Sequence, residues 1–425
     1  MEIGVVADDL TGGAKVAALL ESVGVHCPLL LNVQALNGIG EETQAVVIGR
    51  KLLAQPPTEA VADALQTARE LIRTGVKQLY FKYSALFSST ARGNIGPIAE
   101  ALMNLTNEEI VLFCPARPAR NATVYQGRLF LGQRMLHETP RRFDPITPMT
   151  NANLVELLQS QSTVSVGLLP LQKLRGTLED TRRFLAEHRA AGTRFFIVDA
   201  VEDEDLNRVA ALVHGATFTT GSDDLPQALS KLWPATPRPH RARNLLPPAP
   251  GHVALISGSC TPKSNRQLDW FERNHPVHRI DLERVAYESE YLEQVMDWAR
   301  EKLPVGPIAV ATTTDATNVQ NAQGKFGING AAALAEQALC TIAQRLHRLG
   351  ARKFLLAGGE TSGAILTALG ADTLEVAIHD DLQGGYCHYE GDSSMAFVLK
   401  AGATGDENFY DVALTRLAQA DSAAT

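Results

Sequence analysis

The sequence is poor in cysteine, and its cysteines form no pattern. The five of them, Cys27, Cys114, Cys260, Cys340 and Cys387, stand far apart with no CxxC pair, which argues against a zinc knuckle or a disulfide framework. The histidines are dispersed without HxxxH or HExxH spacing, so no zinc site is expected. No GxSxG elbow offers a nucleophile for acyl transfer, and the lack of GxGxxG after any strand disfavours a nicotinamide dehydrogenase. No apolar run reaches the length that crosses a bilayer, and no basic then apolar leader is visible at the first residues. The net charge is −8, and no basic stripe marks a nucleic-acid surface. The expectation left standing is a soluble cytoplasmic protein that handles small molecules, with neither nucleic acid nor membrane as partner. A homodimer stays open.

What is present is an α/β pattern. At 425 residues the chain exceeds one ordinary core, and two domains are expected. Short β-branched runs at 3–7, 25–31, 45–48, 79–82 and 110–114 alternate with helical spacing at 14–23 and 59–74, the βαβ rhythm of a mostly parallel sheet. A polar excursion over 117–150 reads as a flap or hairpin, and strands resume at 164–168 and 195–198. Between 234 and 251 prolines alternate with arginines and no apolar period survives; such a stretch reads as a semi-rigid connector that cannot be a core element. Strands then recur at 253–256, 308–312, 354–357, 374–378 and 396–399. The fold class expected is therefore α/β, with two α/β domains of mostly parallel sheet, 1–233 and 252–425, joined by a Pro-rich linker over 234–251.

The chemistry gathers where strands end. Ile3-Gly4-Val5-Val6-Ala7 gives way to Asp8-Asp9-Leu10-Thr11-Gly12-Gly13, and open α/β sheets collect ligands at the carboxyl ends of their strands, often facing the next helix. One aspartate suffices as a helix cap; a second can orient or deprotonate a hydroxyl. Tyr80-Phe81-Lys82-Tyr83-Ser84 ends another strand before a loop of hydroxyls and glycines, a plain polar loop or an anion site. Farther on, Ser257-Gly258-Ser259 and Gly358-Gly359-Glu360-Thr361 each follow an apolar strand. Neither is a Walker A loop, and either could be a simple turn. Together they could cradle phosphates, and Glu360 with two neighbouring hydroxyls suits a magnesium-bound nucleotide. A third candidate is the loop at Gly402 and Ala403.

Taken in order, these pieces resemble the four-carbon acid sugar kinase family. The matching blocks are Ala7-Asp8-Asp9-Leu10-Thr11-Gly12, Phe81-Lys82-Tyr83, Gly93-Asn94-Ile95-Gly96-Pro97, Val124-Tyr125-Gln126-Gly127-Arg128, residues 145–153, Ser257-Gly258-Ser259-Cys260, and Ala357-Gly358-Gly359-Glu360-Thr361-Ser362-Gly363. They span nearly the whole chain, and the nearest likeness is to the 3-oxo-tetronate kinase branch. The resemblance implies phosphate transfer from ATP, with Mg²⁺, to the terminal hydroxyl of a four-carbon sugar acid in an interdomain cleft. It implies Asp8 and Asp9 as catalytic residues, with Asp9, Lys82, Ser84, Asn94 and Arg50 toward the acid. Ser257, Ser259, Gly358, Gly359, Glu360, Thr361, Gly402 and Ala403 would hold the nucleotide, and no protein metal ligand is assigned. The chain departs from the family pattern at Leu53, Lys15, Ser88 and Asn121-Ala122, where relatives carry Arg, Asp, Asp and Gly-Arg, and at Ala403-Thr404 in place of Asn-Phe. Arg50, Lys51, Arg117 and Arg120 are the cations available to replace the missing guanidinium. The rival reading is a diverged member that binds a sugar acid or nucleotide with little phosphotransfer.

Overall fold

The computed structural model describes all residues except 41–42, 54, 145–146, 235–241, 403 and 424–425. Ala403 of the nucleotide loop, the first residues of the 145–153 block and much of the Pro-rich stretch thus lie outside the described residues. The chain divides into two compact units, Met1–Arg241 and Ala242–Thr425.

The first unit is built on strands β1 (Ile3–Ala7), β2 (Leu29–Leu30), β3 (Ala45–Gly49), β4 (Gln78–Lys82), β5 (Val111–Cys114), β9 (Ser165–Leu169), β10 (Thr193–Val198) and β11 (Phe218–Gly221), with a small antiparallel sheet of β6 (Ala122–Tyr125), β7 (Arg128–Leu131) and β8 (Arg134–Met135) inserted between. The main sheet runs β2-β3-β1-β4-β11-β5-β10-β9 and is parallel throughout. Its central strands are buried along their whole length, IGVVA in β1 and AVVIG in β3. Such unbroken apolar runs are what a parallel strand needs when helices cover both faces. Helix α1 (Leu10–Glu21) follows β1 directly, and α2 (Pro57–Arg73) buries Ala60, Ala64, Thr67, Ala68 and Leu71 at helical spacing. From β1 the chain reaches β2 and β3 on one side and β4 on the other, so Asp8 and Asp9 sit at the topological switch point, where α/β sheets open a crevice.

The polar excursion expected as a flap is this small sheet. Its β6–β7 turn places Gln126 at φ 51° and Gly127 at φ 70°, the left-handed pair of a tight hairpin. Asp199, fully buried just after β10, accepts from the backbone N–H of Gln126 and Gly127 (2.9 Å each) and of Leu171 (3.1 Å). One carboxylate thus fixes the strained turn to the main sheet.

The second unit carries β12 (His252–Ser257), β13 (Val277–Arg279), β14 (Ile308–Ala311), β15 (Ala351–Ala357), β16 (Thr373–Val376), β17 (Tyr386–Tyr389) and β18 (Met395–Lys400) in the order β13-β14-β12-β15-β18-β17-β16. All pairs are parallel up to β18; β17 and β16 are antiparallel additions. The switch point here is β12, which ends in Ser257. One expectation fails in this unit. Leu246 and Ala249, within the stretch read as unable to join a core, are buried in the second unit's hydrophobic cluster with Leu255, Phe271 and Tyr410. The N–H of Ile378 also donates to the carbonyl of Arg243. An extended proline-rich segment has no apolar period to read, yet its single apolar side chains can still fill core positions.

Replacing Asp199 by Ala leaves three N–H groups without their charged acceptor, a loss of about 3 kcal/mol by the usual worth of such bonds. The first unit's thermal unfolding midpoint is expected to fall by about 5–10 °C, read by circular dichroism.

Candidate functional site

In the first unit the register brings four strand ends level: Ala7 pairs with Lys82, Lys82 with Gly221, and Gly221 with Cys114. The next residues along each chain segment therefore converge. Asp8 and Asp9 come from β1, Lys82 is the last residue of β4, Asp223 and Asp224 follow β11, and Arg117 follows β5. The Lys82 ammonium, 1% exposed, lies 3.2 Å from Asp8 Oδ1, 3.2 Å from Asp9 Oδ2 and 3.7 Å from Asp223 Oδ1. Arg117 donates to Asp223 (3.0 Å) and Asp224 (2.9 Å). Asp9 also caps α1, its Oδ1 accepting from the Thr11 hydroxyl (2.6 Å) and the Gly12 N–H (2.7 Å). Cap and charge cluster are thus the same residue. Gly12 is required beside it, since a Cβ there would stand 1.9 Å from Lys82 Nζ.

The two adjacent aspartates are driven apart electrostatically. Burial pushes Asp8 up to about 7, more strongly than Lys82 pulls it down, with Asp9 adding to the rise. Asp9 is half-buried and also bears a desolvation cost, but Lys82, the Thr11 hydroxyl and the Gly12 N–H outweigh that cost and hold it well below the usual carboxylate range. Lys82, desolvated yet facing three carboxylates, stays protonated with its pKa raised. Burial lifts Asp224 to about 6 against the pull of Arg117. The result is a fixed anion at Asp9, the more exposed of the two, beside a carboxyl that titrates near neutrality.

The remaining acid-side expectations divide. Ser84 sits two residues past Lys82, accepting from Leu86 N–H and the Ser88 hydroxyl (3.2 Å each). Asn94 and Arg50 are engaged elsewhere. The Asn94 amide donates to the carbonyls of Leu52 (2.7 Å) and Gln55 (2.9 Å), fastening the loop after β3. Arg50 forms a two-pronged pair with Asp63 of α2 (2.7 and 2.9 Å). Asp223 and Asp224 were missed in the sequence reading. Their signal was present, since Ser222-Asp223-Asp224-Leu225 repeats the Asp-Asp-Leu of Asp8-Asp9-Leu10 after a short β-branched run.

The second unit levels its strand ends in the same way: Ser257 pairs with Ala357 and Ala311, and Ala357 with Lys400. Here the residues beyond are glycines and hydroxyls. A Cβ on Gly258 would meet Thr361 Oγ1 at 2.1 Å, and Gly358 holds φ 114°; only glycine allows these two backbones to meet under the Thr361 hydroxyl. Ser257, fully buried, is 2.5 Å from the Thr313 hydroxyl. Ser259 accepts from Ser264 (2.8 Å), and the Gly402 carbonyl is held by Thr261 (2.8 Å), Ser264 (3.2 Å) and Lys400 (3.4 Å). Burial, with Lys263 nearby, lowers Lys400 to about 8. Gly359, Glu360 and Thr361 form the first turn of the helix Gly359–Ala368, and a helix N-terminus suits an anion. Glu360 is exposed there. Glu360 and Thr361 offer oxygen donors of the kind Mg²⁺ accepts.

Two family models match the chain: a sugar-binding N-terminal domain over residues 3–229 and a nucleotide-binding C-terminal domain over 254–410. The chain belongs to the four-carbon acid sugar kinase family. Similar proteins include the 3-oxo-tetronate kinases of Pseudomonas fluorescens, 34% identical over 98% of this chain and 97% of that one, and of Burkholderia multivorans, 33% identical over 98% and 97%. Among solved structures, a Haemophilus influenzae protein matches with TM-score 0.73 at 30% identity, covering 97% of this chain and 100% of its own. A Salmonella typhimurium protein matches with TM-score 0.80 at 30% identity, covering 97% and 98%. Among the described residues no helix is long and apolar enough to cross a membrane.

Adding one methyl group at each strand end separates the two sites. Gly12→Ala displaces Lys82 and is expected to lower turnover at least tenfold with ATP affinity within about twofold of the parent. Gly258→Ala, which crowds Thr361, is expected to weaken ATP binding at least tenfold. Steady-state kinetics and nucleotide titration calorimetry check both.

Proposed function

We propose that this protein transfers the γ-phosphoryl group of Mg²⁺-bound ATP to the terminal hydroxyl of a four-carbon sugar acid of the 3-oxo-tetronate, threonate or erythronate class, in the cytoplasm. Residues 1–233 bind the acid and residues 252–425 the nucleotide. The observation that carries the reading is the Asp8-Lys82-Asp9 cluster at the switch point of the first sheet, a fixed anion beside a carboxyl poised near neutral pH. Relatives named as kinases over nearly their full length support it, and none of the named relatives favours the rival that binds without transferring.

In this mechanism the fixed anion of Asp9 holds Lys82 and accepts from another hydroxyl of the acid. The terminal hydroxyl donates its hydrogen bond to ionised Asp8, which aims the hydroxyl oxygen at the γ-phosphorus. As that oxygen bonds to phosphorus, the bond from phosphorus to the β,γ-bridging oxygen breaks and ADP leaves. The hydroxyl proton passes to Asp8, whose raised pKa suits it as acceptor. Lys82 holds both carboxylates in place. On the other unit the Gly258 and Gly358 backbones, Ser259 and Thr361 cradle the phosphates, and Lys400 faces their charge. Glu360 and Thr361 would hold the Mg²⁺ that comes with the nucleotide, and the ion would supply neutralisation of phosphate charge. Transfer of this kind depends mainly on positioning and electrostatics, so few covalent participants are needed.

The test is ADP release with 3-oxo-tetronate, threonate and erythronate as acceptors. The proposal expects acid-dependent turnover that falls at least a hundredfold in Asp9→Asn. Turnover with none of the three acids, or an unaffected Asp9→Asn, overturns it. The pH profile tests Asp8 separately. Because the proton acceptor must be ionised and its pKa is raised, log(kcat/KM) is expected to climb with unit slope up to about pH 7 and then level off. An unshifted aspartate would give a flat profile from about pH 5 upward.

A further inference from the structure

The first unit's cluster contains a third cation that its own acids do not engage. Lys15 lies on α1 three residues after Gly12 and four after Thr11, on the helix face that meets Asp9 and Lys82. It is the one partly exposed residue in a stretch, 10 to 18, whose other members are buried. Asp223 and Asp9 attract its ammonium, while Arg117 and Lys82 repel it. Burial, the largest influence on it, lowers its pKa, and among the described residues it makes no hydrogen bond or ion pair. The other two cations are committed, Lys82 to Asp8, Asp9 and Asp223, and Arg117 to Asp223 and Asp224.

The charge balance gives this free ammonium a purpose. Four carboxylates, from Asp8, Asp9, Asp223 and Asp224, surround the spoken-for Lys82 and Arg117. A sugar acid entering this field brings a further negative charge, which the cluster would repel unless an uncommitted cation meets it. A charge-assisted contact between ammonium and carboxylate is the stronger kind of hydrogen bond, and Lys15 is placed to make one. The transferred phosphate arrives with the nucleotide, whose domain model matches the other unit, so the anion that the first unit must hold by itself is the acceptor's own carboxylate.

We propose that Lys15 binds the carboxylate of the acceptor and so makes this site select acids over neutral polyols of the same length. This rests on the kinase reading above and deepens it. The experiment compares wild type, Lys15→Met and Lys15→Arg with whichever of the three acids the wild type phosphorylates fastest, and with erythritol, a neutral four-carbon polyol, as competitor. Expected for Lys15→Met are a 10- to 100-fold rise in KM for the acid, kcat within about threefold, unchanged KM for ATP and unchanged inhibition by erythritol. Lys15→Arg, which keeps the charge, should recover most of the affinity.

An unchanged KM for the acid overturns the assignment. So does a fall in kcat at constant KM, which would place Lys15 on the transferring phosphoryl group, and so does an equal weakening of acid and erythritol, which would make its role structural. If the wild type phosphorylates none of the acids, the kinase reading fails by itself. Calorimetric titration of wild type and Lys15→Met with erythronate then decides the Lys15 contact independently: weaker binding in the variant supports it, and equal binding, or none in either protein, overturns it.

Discussion

The first unit is organised around one buried ammonium. Taking Lys82 out of water is costly unless counter-charges come with it, and two strand ends deliver three: Asp8 and Asp9 from β1 and Asp223 from β11. That requirement explains several features at once. It fixes the register of β1, β4 and β11, because Ala7, Lys82 and Gly221 must stand level for the carboxylates to reach. It explains why Gly12 carries no side chain, since the ammonium occupies the space a Cβ would take. It also splits the two neighbouring aspartates, because Lys82 and the helix N-terminus outweigh burial at Asp9, whereas at Asp8 burial outweighs Lys82.

Much of this architecture is legible in the sequence. The apolar runs of β1, β3, β4, β12 and β15 mark parallel strands. What could not be read has identifiable causes. Only Leu29–Leu30 form a strand within the run expected over 25–31; Pro28 just before them accepts from the Val47 N–H but has no N–H to donate. The β17 strand Tyr386–Tyr389 and the first part of β11 are too short and mixed in polarity to show a period. Arg50 and Asn94, expected toward the acid, are tied to Asp63 and to the carbonyls of Leu52 and Gln55, partners far enough along the chain that no local pattern predicts the pairing. Asp223 and Asp224 show the opposite case, a local signal that gains its meaning only when the sheet order sets β11 beside β4.

The two units reach their strand-end sites by the same topology and fill them with opposite electrostatics. Beyond β1, β4 and β11 stand carboxylates with a buried lysine between them; beyond β12, β15 and β18 stand glycine backbones, hydroxyls and Lys400, with Glu360 in a helix's first turn. The difference follows from the ligands such sites suit. A polyphosphate carries its own dense negative charge, so its cradle must be made of N–H groups, hydroxyls and a cation whose pKa is free to rise when the phosphate arrives. A hydroxyl that must become a nucleophile needs the reverse, an anion to orient it and a carboxyl ready to take its proton. Lys400, lowered to about 8 in the absence of a counter-charge, and Asp8, raised to about 7 in the presence of one, are the two halves of that division. Burial moves each away from its ordinary pKa; on the proposed reaction the phosphate arriving in its own unit raises Lys400 again, and Asp8 uses its raised pKa to take the hydroxyl proton.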